Sequence, residues 1–176
     1  MHEQSIHEAF CGTRSAMASP SSLDLEQQLC FALYAASNEL VRAYRPLLAE
    51  IGLTYPQYLV MLVLWQDGAQ NLSAIAKRLR LSPNAITPLV DRLEQGKLVR
   101  RYLKAGDRRQ TLLIPTAKGK ELKSSAAAVR AEVACKTGLS ETAMEQLIGE
   151  IGQLLAQMDD HTPGAPSDNR QKVPAG

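Results

Sequence analysis

The chain has 176 residues, of which 45% are hydrophobic and 5% aromatic, and its formal net charge is only +2. This length suits one domain with a substantial core, and the small charge means that nucleic-acid binding would need a local basic patch. Three widely spaced cysteines exclude a secreted disulfide framework and a clustered zinc site, and no apolar run approaches about 18 residues. We therefore expect a cytoplasmic protein with no metal, no cofactor and no membrane partner.

Composition divides the chain into a folded middle and two polar ends. Residues 1–22 are polar and aperiodic, and residues 161–176 contain three prolines, two glycines and no apolar periodicity. Such segments cannot bury enough apolar surface to fold, so we predict a disordered leader at 1–22 and a disordered tail at 161–176. Residues 23–160 are predicted to form the single folded domain.

The first predicted helix begins near Leu23 or Asp24 and carries a long apolar stripe. Apolar residues recur at spacings of three and four as far as Leu47, which is typical of an amphipathic helix. Pro46 cannot donate a helical hydrogen bond, so we expect the helix to kink or end there. Cys30 lies beside the stripe, and it is either a small hydrophobe of the core or a reactive thiol.

A second, almost continuously apolar helix is predicted from about residue 55 to about Gln66. Thr54 and Gln57 have the spacing of a capping box, with a proline in the first turn. Its apolar character on all sides predicts a buried central helix.

The next two helices have the pattern of a helix-turn-helix. A short helix after Asn71 ends near Leu79, and Ser82-Pro83 is a good start for another helix. Short or polar side chains there suit base edges and phosphates, whereas Pro88 should bend the helix. The predicted DNA-contacting residues of this helix are Pro83, Asn84, Thr87, Asp91 and Arg92.

A basic hairpin follows the helix-turn-helix directly. Residues 98–103 and 110–114 are typical of β-strands, and the tip between them includes Arg108 and Arg109. A basic hairpin tip is often simply solvated. Next to a helix-turn-helix, however, it indicates a wing that contacts the DNA backbone or minor groove.

Two further helices are predicted, from Thr116 to about Lys136 and from Ser140 to about residue 159. Together with the first helix they offer more apolar surface than a small monomer should bury, so we expect a homodimer. A two-fold dimer would read a pseudo-palindromic operator in double-stranded DNA. The predicted fold class is mainly α, a winged helix-turn-helix with DNA-binding residues at about 54–115 and dimerisation helices at about 23–50 and 116–159.

From Leu25 to about Met158 the chain resembles the MarR family of winged-helix dimers, and within it the OhrR group of organic-hydroperoxide-sensing repressors. The broad resemblance rests on the helix-turn-helix and on Asp107-Arg108-Arg109 followed by residues 112–119. The narrower one rests on segments 29–35, 44–48, 53–58 and 86–88, the last of which includes Pro88.

The resemblance implies a repressor, not an enzyme, that releases its operator when an organic hydroperoxide oxidises Cys30. It also implies that Tyr44 and Tyr55 reach across the dimer to activate the Cys30 thiol, with Tyr34 nearby. In the two-cysteine branch of this group, Cys135 would be the resolving cysteine that forms an intersubunit disulfide with Cys30.

Other interpretations remain open at this stage. The chain could be a regulator of the same fold that is switched by a small phenolic or carboxylate ligand, with Cys30 a bystander, or a thiol peroxidase. Cys135 could be an ordinary cysteine at a helix end, and Cys11 is expected to be incidental. The family usually has glycine just before Leu98, but here Lys97 follows Gly96. Either Gly96 caps the helix early or Lys97 accepts a left-handed conformation at about 1–2 kcal/mol.

Overall fold

The computed structural model describes residues 23–103 and 111–161, in which six α-helices and three short strands are found. The helices are α1 (Leu29–Glu50), α2 (Tyr55–Asp67), α3 (Leu72–Arg78), α4 (Pro83–Gln95), α5 (Ala117–Lys136) and α6 (Glu141–His161). The strands are β1 (Gln70–Asn71), β2 (Val99–Leu103) and β3 (Thr111–Pro115), and a 3-10 turn at Leu25–Gln27 precedes α1. The mainly helical winged helix-turn-helix fold is confirmed. The predicted leader at 1–22 and most of the predicted tail lie outside the described residues.

The chain divides into two compact units at Arg130. In its described part the first unit contains α1 to α4, the sheet and α5 as far as Arg130, and the second contains the end of α5 and α6. The core of the first unit is built from α2, α3, α4 and the sheet, with fully buried side chains that include Val60, Met61, Ile75, Ile86 and Leu113.

The first helix begins later than predicted, and of the two alternatives at Pro46, a kink or an end, the end is excluded. The chain makes a 3-10 turn at Leu25–Gln27, and α1 begins only at Leu29. Pro46 does not end the helix, which continues to Glu50. A proline removes one hydrogen bond and crowds one turn, and the packing of Leu47 and Leu48 against the core holds the helix beyond it.

The apolar stripe of α1 is only partly covered in this chain. Leu48 is fully buried and Tyr44 and Leu47 pack against the core, whereas Leu29 and Leu40 are exposed. Leu29 at the start of α1 and Leu40 near its middle are therefore left largely uncovered by the described residues.

The second helix is the buried central helix that its composition predicts. Gln57 Oε1 accepts hydrogen bonds from the backbone N–H of Thr54 at 2.8 Å and from its hydroxyl at 3.0 Å, which fixes the start of α2. Within the described residues, no single helix meets the length and hydropathy required to cross a membrane. Among these residues, one pair of helices, α1 and α2, meets the length and hydropathy criteria when the two are taken together, and the chain bends by 77° between them.

The helix-turn-helix consists of α3 and α4. After each helix, the residue with a left-handed backbone conformation, which is often a glycine, is here another amino acid. Asn71 and Ser82 cap the two helices by accepting the N–H groups of Ala74 and Ala85. Arg80 and Lys97 have φ of 54° and 59°, and Gly96 is right-handed. Of the two sequence alternatives at the end of α4, Lys97 therefore takes the left-handed position.

The sheet has the order β1-β3-β2, and all of its pairs are antiparallel. The hairpin of β2 and β3 matches the predicted wing strands within one residue, with Arg101 opposite Leu113. The sequence reading missed β1, because a strand of two residues has no periodicity to detect.

A close contact joins the start of α5 to the start of β2. A Cβ built on Gly119 would overlap the carbonyl oxygen of Leu98, so only glycine fits. Thr116 donates its N–H to the same carbonyl at 3.0 Å and accepts the Gly119 N–H at 3.1 Å. Trp65 Nε1 donates to the Gly119 carbonyl at 2.8 Å. We refer to these contacts of Trp65, Leu98, Thr116 and Gly119 as the α5 junction.

We expect Gly119→Ala to lower the free energy of unfolding by about 1–3 kcal/mol, because the new methyl group meets backbone that cannot turn away. Urea denaturation followed by circular dichroism measures this. Gly149→Ala in α6 is the matched control, since its Cβ would meet no atom within 4 Å. The control should be stabilised by up to about 1 kcal/mol. Equal stability of the two variants would contradict the close contact.

Candidate redox site and nucleic-acid interface

Cys30 lies in the first turn of α1 and is exposed. Unpaired N–H groups at a helix start favour a nearby negative charge. Tyr34 follows one turn later on the same face of α1 and is 66% exposed. The thiol is therefore accessible to a dissolved oxidant.

Three phenols form a cluster where α1 meets α2. The ring centroid of Tyr44 is 5.2 Å from that of Tyr55 and 5.7 Å from that of Tyr58, and the last two are 6.2 Å apart. The Tyr44 and Tyr58 hydroxyls are hydrogen-bonded to each other. The structure thus brings together Tyr44 and Tyr55, which the resemblance singled out, and leaves Tyr34 outside this tyrosine cluster.

Tyr58 is the cluster member that the sequence reading did not assign. It is buried, and it lines a groove of about 280 Å³ between α2 and α5 together with Arg130. Its position three residues after Tyr55, on the same face of α2, was the available signal.

The cluster holds its phenols in the protonated form. Burial, with the neighbouring Tyr58 and Tyr55, raises the pKa of Tyr44 to about 12, and the nearby Arg130 opposes this only in part. Burial also raises the pKa of Tyr55 and of Tyr58 above the ordinary value. These hydroxyls therefore act as hydrogen-bond donors at neutral pH.

Cys30 and Tyr44 of one chain are too far apart to interact. Fourteen residues of helix separate them, which at about 1.5 Å per residue corresponds to roughly 21 Å. A hydrogen bond between Cys30 and Tyr44 would have to join two copies of the chain.

The other two cysteines are placed differently. Cys135 is exposed near the end of α5, in the second unit. Cys11 lies outside the described residues. In the described part of the chain, no group of His, Cys, Asp and Glu is arranged to hold a metal ion.

The recognition helix α4 buries one face and exposes the other. Ile86, Val90 and Leu93 point into the core. The Thr87 hydroxyl donates to the Pro83 carbonyl at 3.2 Å, and Pro88 continues the helix without an N–H to donate to Asn84. The predicted contact residues Pro83, Asn84, Thr87 and Arg92 are exposed, and Asp91 is partly exposed.

Asp91 is engaged by the wing. Arg101 of β2 donates to its carboxylate at 2.5 Å, and it also forms an ion pair with Glu94. The Arg101 N–H donates to Glu94 as well, at 3.2 Å. Both acids therefore link the recognition helix to the wing, at a partly exposed site where each pair contributes at most about 1 kcal/mol. Arg108 and Arg109 lie outside the described residues.

The MarR family model matches residues 53–111. The HTH-type transcriptional regulator TtmR of Methylorubrum extorquens is 42% identical over 135 residues, which are 77% of this chain and 68% of that protein. The organic hydroperoxide resistance transcriptional regulator of Bacillus subtilis is 37% identical over 125 residues. These residues are 71% of this chain and 83% of that protein.

This chain is also similar to solved structures of a protein named AbfR. AbfR of Staphylococcus epidermidis is 31% identical. The structure of reduced AbfR bound to DNA matches this chain with a TM-score of 0.64, and the match covers 79% of this chain and 97% of the AbfR chain. The structure of AbfR with its disulfide formed matches with a TM-score of 0.56, and the match covers 80% of this chain and 93% of the AbfR chain.

The raised phenol pKa values predict alkaline instability. Between about pH 10 and about pH 12, the unfolded chain has lost the Tyr44 proton while the folded chain still holds it, so stability falls as pH rises through this window. Tyr44→Phe should make this decline shallower in urea denaturation at several pH values. Tyr34→Phe, outside the tyrosine cluster, is the control and should decline as the wild type does. A Tyr44→Phe curve parallel to the wild type would contradict the burial argument.

Proposed function

The chain belongs to the MarR family of transcriptional regulators, and from this premise we propose that it is a repressor that releases its operator when an organic hydroperoxide oxidises Cys30. The observation that carries the proposal is an exposed thiol in the first turn of α1, in a chain that also presents a recognition helix. Its similarity to the Bacillus subtilis hydroperoxide regulator supports the choice of oxidant.

The DNA-contacting surface is proposed to be the exposed face of α4 with the wing. Asn84 and Thr87 suit base edges in the major groove, and Arg92 suits a phosphate. Arg108 and Arg109 would contact the backbone or the minor groove from the wing tip. Asp91 contributes indirectly, because its carboxylate holds Arg101 and so the wing. Similarity to a regulator solved on DNA supports this placement.

The acting species is proposed to be a cytoplasmic homodimer. Leu29 and Leu40 on α1 and Ile148 and Met158 on α6 are exposed apolar side chains, and a second copy would cover them. Cys30 lies roughly 21 Å from Tyr44 of its own chain along α1. In a dimer, Tyr44 and Tyr55 of the partner subunit could approach Cys30 instead. Two copies would read the half-sites of a pseudo-palindromic operator.

The proposed chemistry balances with the hydroperoxide as the oxidant. The Cys30 thiolate attacks the peroxide oxygen, the O–O bond breaks, and an alcohol leaves while Cys30 becomes a sulfenic acid. Phenol hydrogen bonds from the partner favour the thiolate. The Cys135 thiol of the other subunit then displaces water and forms the disulfide. Similarity to a regulator solved with its disulfide formed supports this second step.

The test of the sensor is operator binding before and after cumene hydroperoxide. Wild-type affinity should fall by about 5- to 150-fold on oxidation, the usual range of coupling between two sites. Cys30→Ser should bind like the reduced wild type and keep its affinity after peroxide, because serine retains the size of the thiol but cannot be oxidised. Cys11→Ser is the control and should respond as the wild type does.

Three results would favour other functions. Normal peroxide release by Cys30→Ser would remove the sensor role. Release by a small phenol or carboxylate without peroxide would favour a ligand-switched regulator. Catalytic consumption of peroxide with a thiol reductant would favour a peroxidase.

The role of Cys135 is tested on a non-reducing gel. Mild peroxide should convert the wild type to a covalent dimer that dithiothreitol reverses, and Cys135→Ser should stay monomeric on the gel while still losing its Cys30 thiol. Prolonged peroxide should take this variant to sulfinic and sulfonic acids, since no resolving thiol traps the sulfenic acid. A wild type that remains monomeric and carries a small-thiol adduct on Cys30 would overturn the Cys135 assignment.

A further inference from the structure

Arg130 lies on α5 at the edge of the tyrosine cluster. It lines the groove of about 280 Å³ between α2 and α5 together with Tyr58, and Ala126 and Ala127 line the same groove one turn before it. Ala126 and Val129, which directly precedes Arg130, are buried against the core. The packing of α5 therefore fixes the position of Arg130 relative to α2.

The charge of Arg130 is not neutralised by an ion pair within the described ranges 23–103 and 111–161. Glu132, two residues further along α5, faces Lys136 at 2.9 Å. None of the described residues that line the groove is acidic, and its other cation, Lys123, lies two turns before Arg130. A cation without a carboxylate partner acts more strongly on the polar groups beside it.

The positive charge of Arg130 acts on two phenols of the tyrosine cluster. Burial raises the pKa of Tyr44 to about 12 and also raises the pKa of Tyr58, and Arg130 opposes both increases. The described titratable groups that act on Tyr44 are Tyr55 and Tyr58 of α2 and Arg130 of α5, and only Arg130 is a cation. A positive charge that favours the phenolate also makes the phenol O–H a stronger donor to an approaching anion.

We propose that Arg130 is a positioning residue of the redox site, and that its fixed positive charge strengthens the phenol hydrogen bonds to Cys30 of the partner subunit. This inference rests on the proposed sensor function and adds a residue to it. Arg130 acts through Tyr44 and Tyr58 and takes no part in the bond changes at sulfur. Stronger donors favour the thiolate at neutral pH, so Cys30 attacks the peroxide faster.

The test follows the reactivity of Cys30 as a function of pH. The background variant Cys11→Ser/Cys135→Ser leaves Cys30 as the one thiol of the full chain, and its alkylation by iodoacetamide is timed from acid to alkaline pH. In this background, Arg130→Gln should raise the pH of half-maximal alkylation rate by about 0.5–1. Oxidation by cumene hydroperoxide at neutral pH should slow by about 3- to 10-fold, because the thiolate fraction falls about tenfold per pH unit of that rise. About 1 M salt should shrink both effects, since Arg130 is exposed and ions screen its charge.

Two further variants separate charge from structure. Arg130→Lys keeps the positive charge and should oxidise within about twofold of the background variant, because the proposed role needs a charge and not the guanidinium fork. Lys123→Gln is the matched control, since it removes one positive charge from the same helix and groove but from a residue that does not act on Tyr44 or Tyr58. Its pH profile should equal that of the background variant. Circular dichroism and gel filtration establish that each variant is folded and of the same oligomeric state.

Tyr44→Phe separates a failure of this inference from a failure of the sensor function. If Tyr44→Phe slows the oxidation of Cys30 and Arg130→Gln does not, the role of Arg130 is overturned and the sensor function stands. If Tyr44→Phe has no effect, the tyrosine cluster does not serve Cys30, and both proposals are overturned. A profile of Arg130→Lys or of Lys123→Gln that moves as far as that of Arg130→Gln also overturns the role of Arg130, because the effect then does not come from a charge at this position.

Discussion

The α5 junction is the contact on which the rest of the first unit depends. Gly119 has no side chain, so the start of α5 approaches the Leu98 carbonyl closely enough for Thr116 to donate to it. The same glycine accepts the Trp65 indole N–H at 2.8 Å. One turn of backbone thereby sets the spacing between the central helix, the first wing strand and α5.

The junction also ties the proposed DNA-contacting surface to the long helices. The Thr116 hydroxyl donates to the carbonyl of Lys97, the left-handed residue that ends α4, at 2.7 Å. Arg101, three residues beyond Leu98, is bound by Asp91 and Glu94 of the same helix. These contacts thus link the end of α4, the wing and the start of α5 directly to one another.

The tyrosine cluster differs in its chemistry from the cavity of about 470 Å³ that lies between the end of α2, the wing strands and α5. Tyr44, Tyr55 and Tyr58 are desolvated and protonated, and so can donate hydrogen bonds to an anion such as a thiolate. The cavity instead has Arg100, Lys120 and Lys123 along it beside Trp65, Ile114 and Pro115. In the function proposed above, the tyrosine cluster serves the redox signal.

The sequence by itself determined the features that arise from neighbouring residues. Apolar periodicity and side-chain caps are local, so α2, α3, α4 and the wing strands were predicted closely, and Tyr44 and Tyr55 followed from the resemblance alone. Tertiary structure decided the rest, because each remaining feature joins distant segments. The strand β1 exists only by pairing with β3, and packing carries α1 past Pro46. Tyr58 joins the cluster across two helices, and Arg100 and Lys120, twenty residues apart, line one cavity. No local pattern encodes such contacts, since their energy comes from the surfaces that folding brings together.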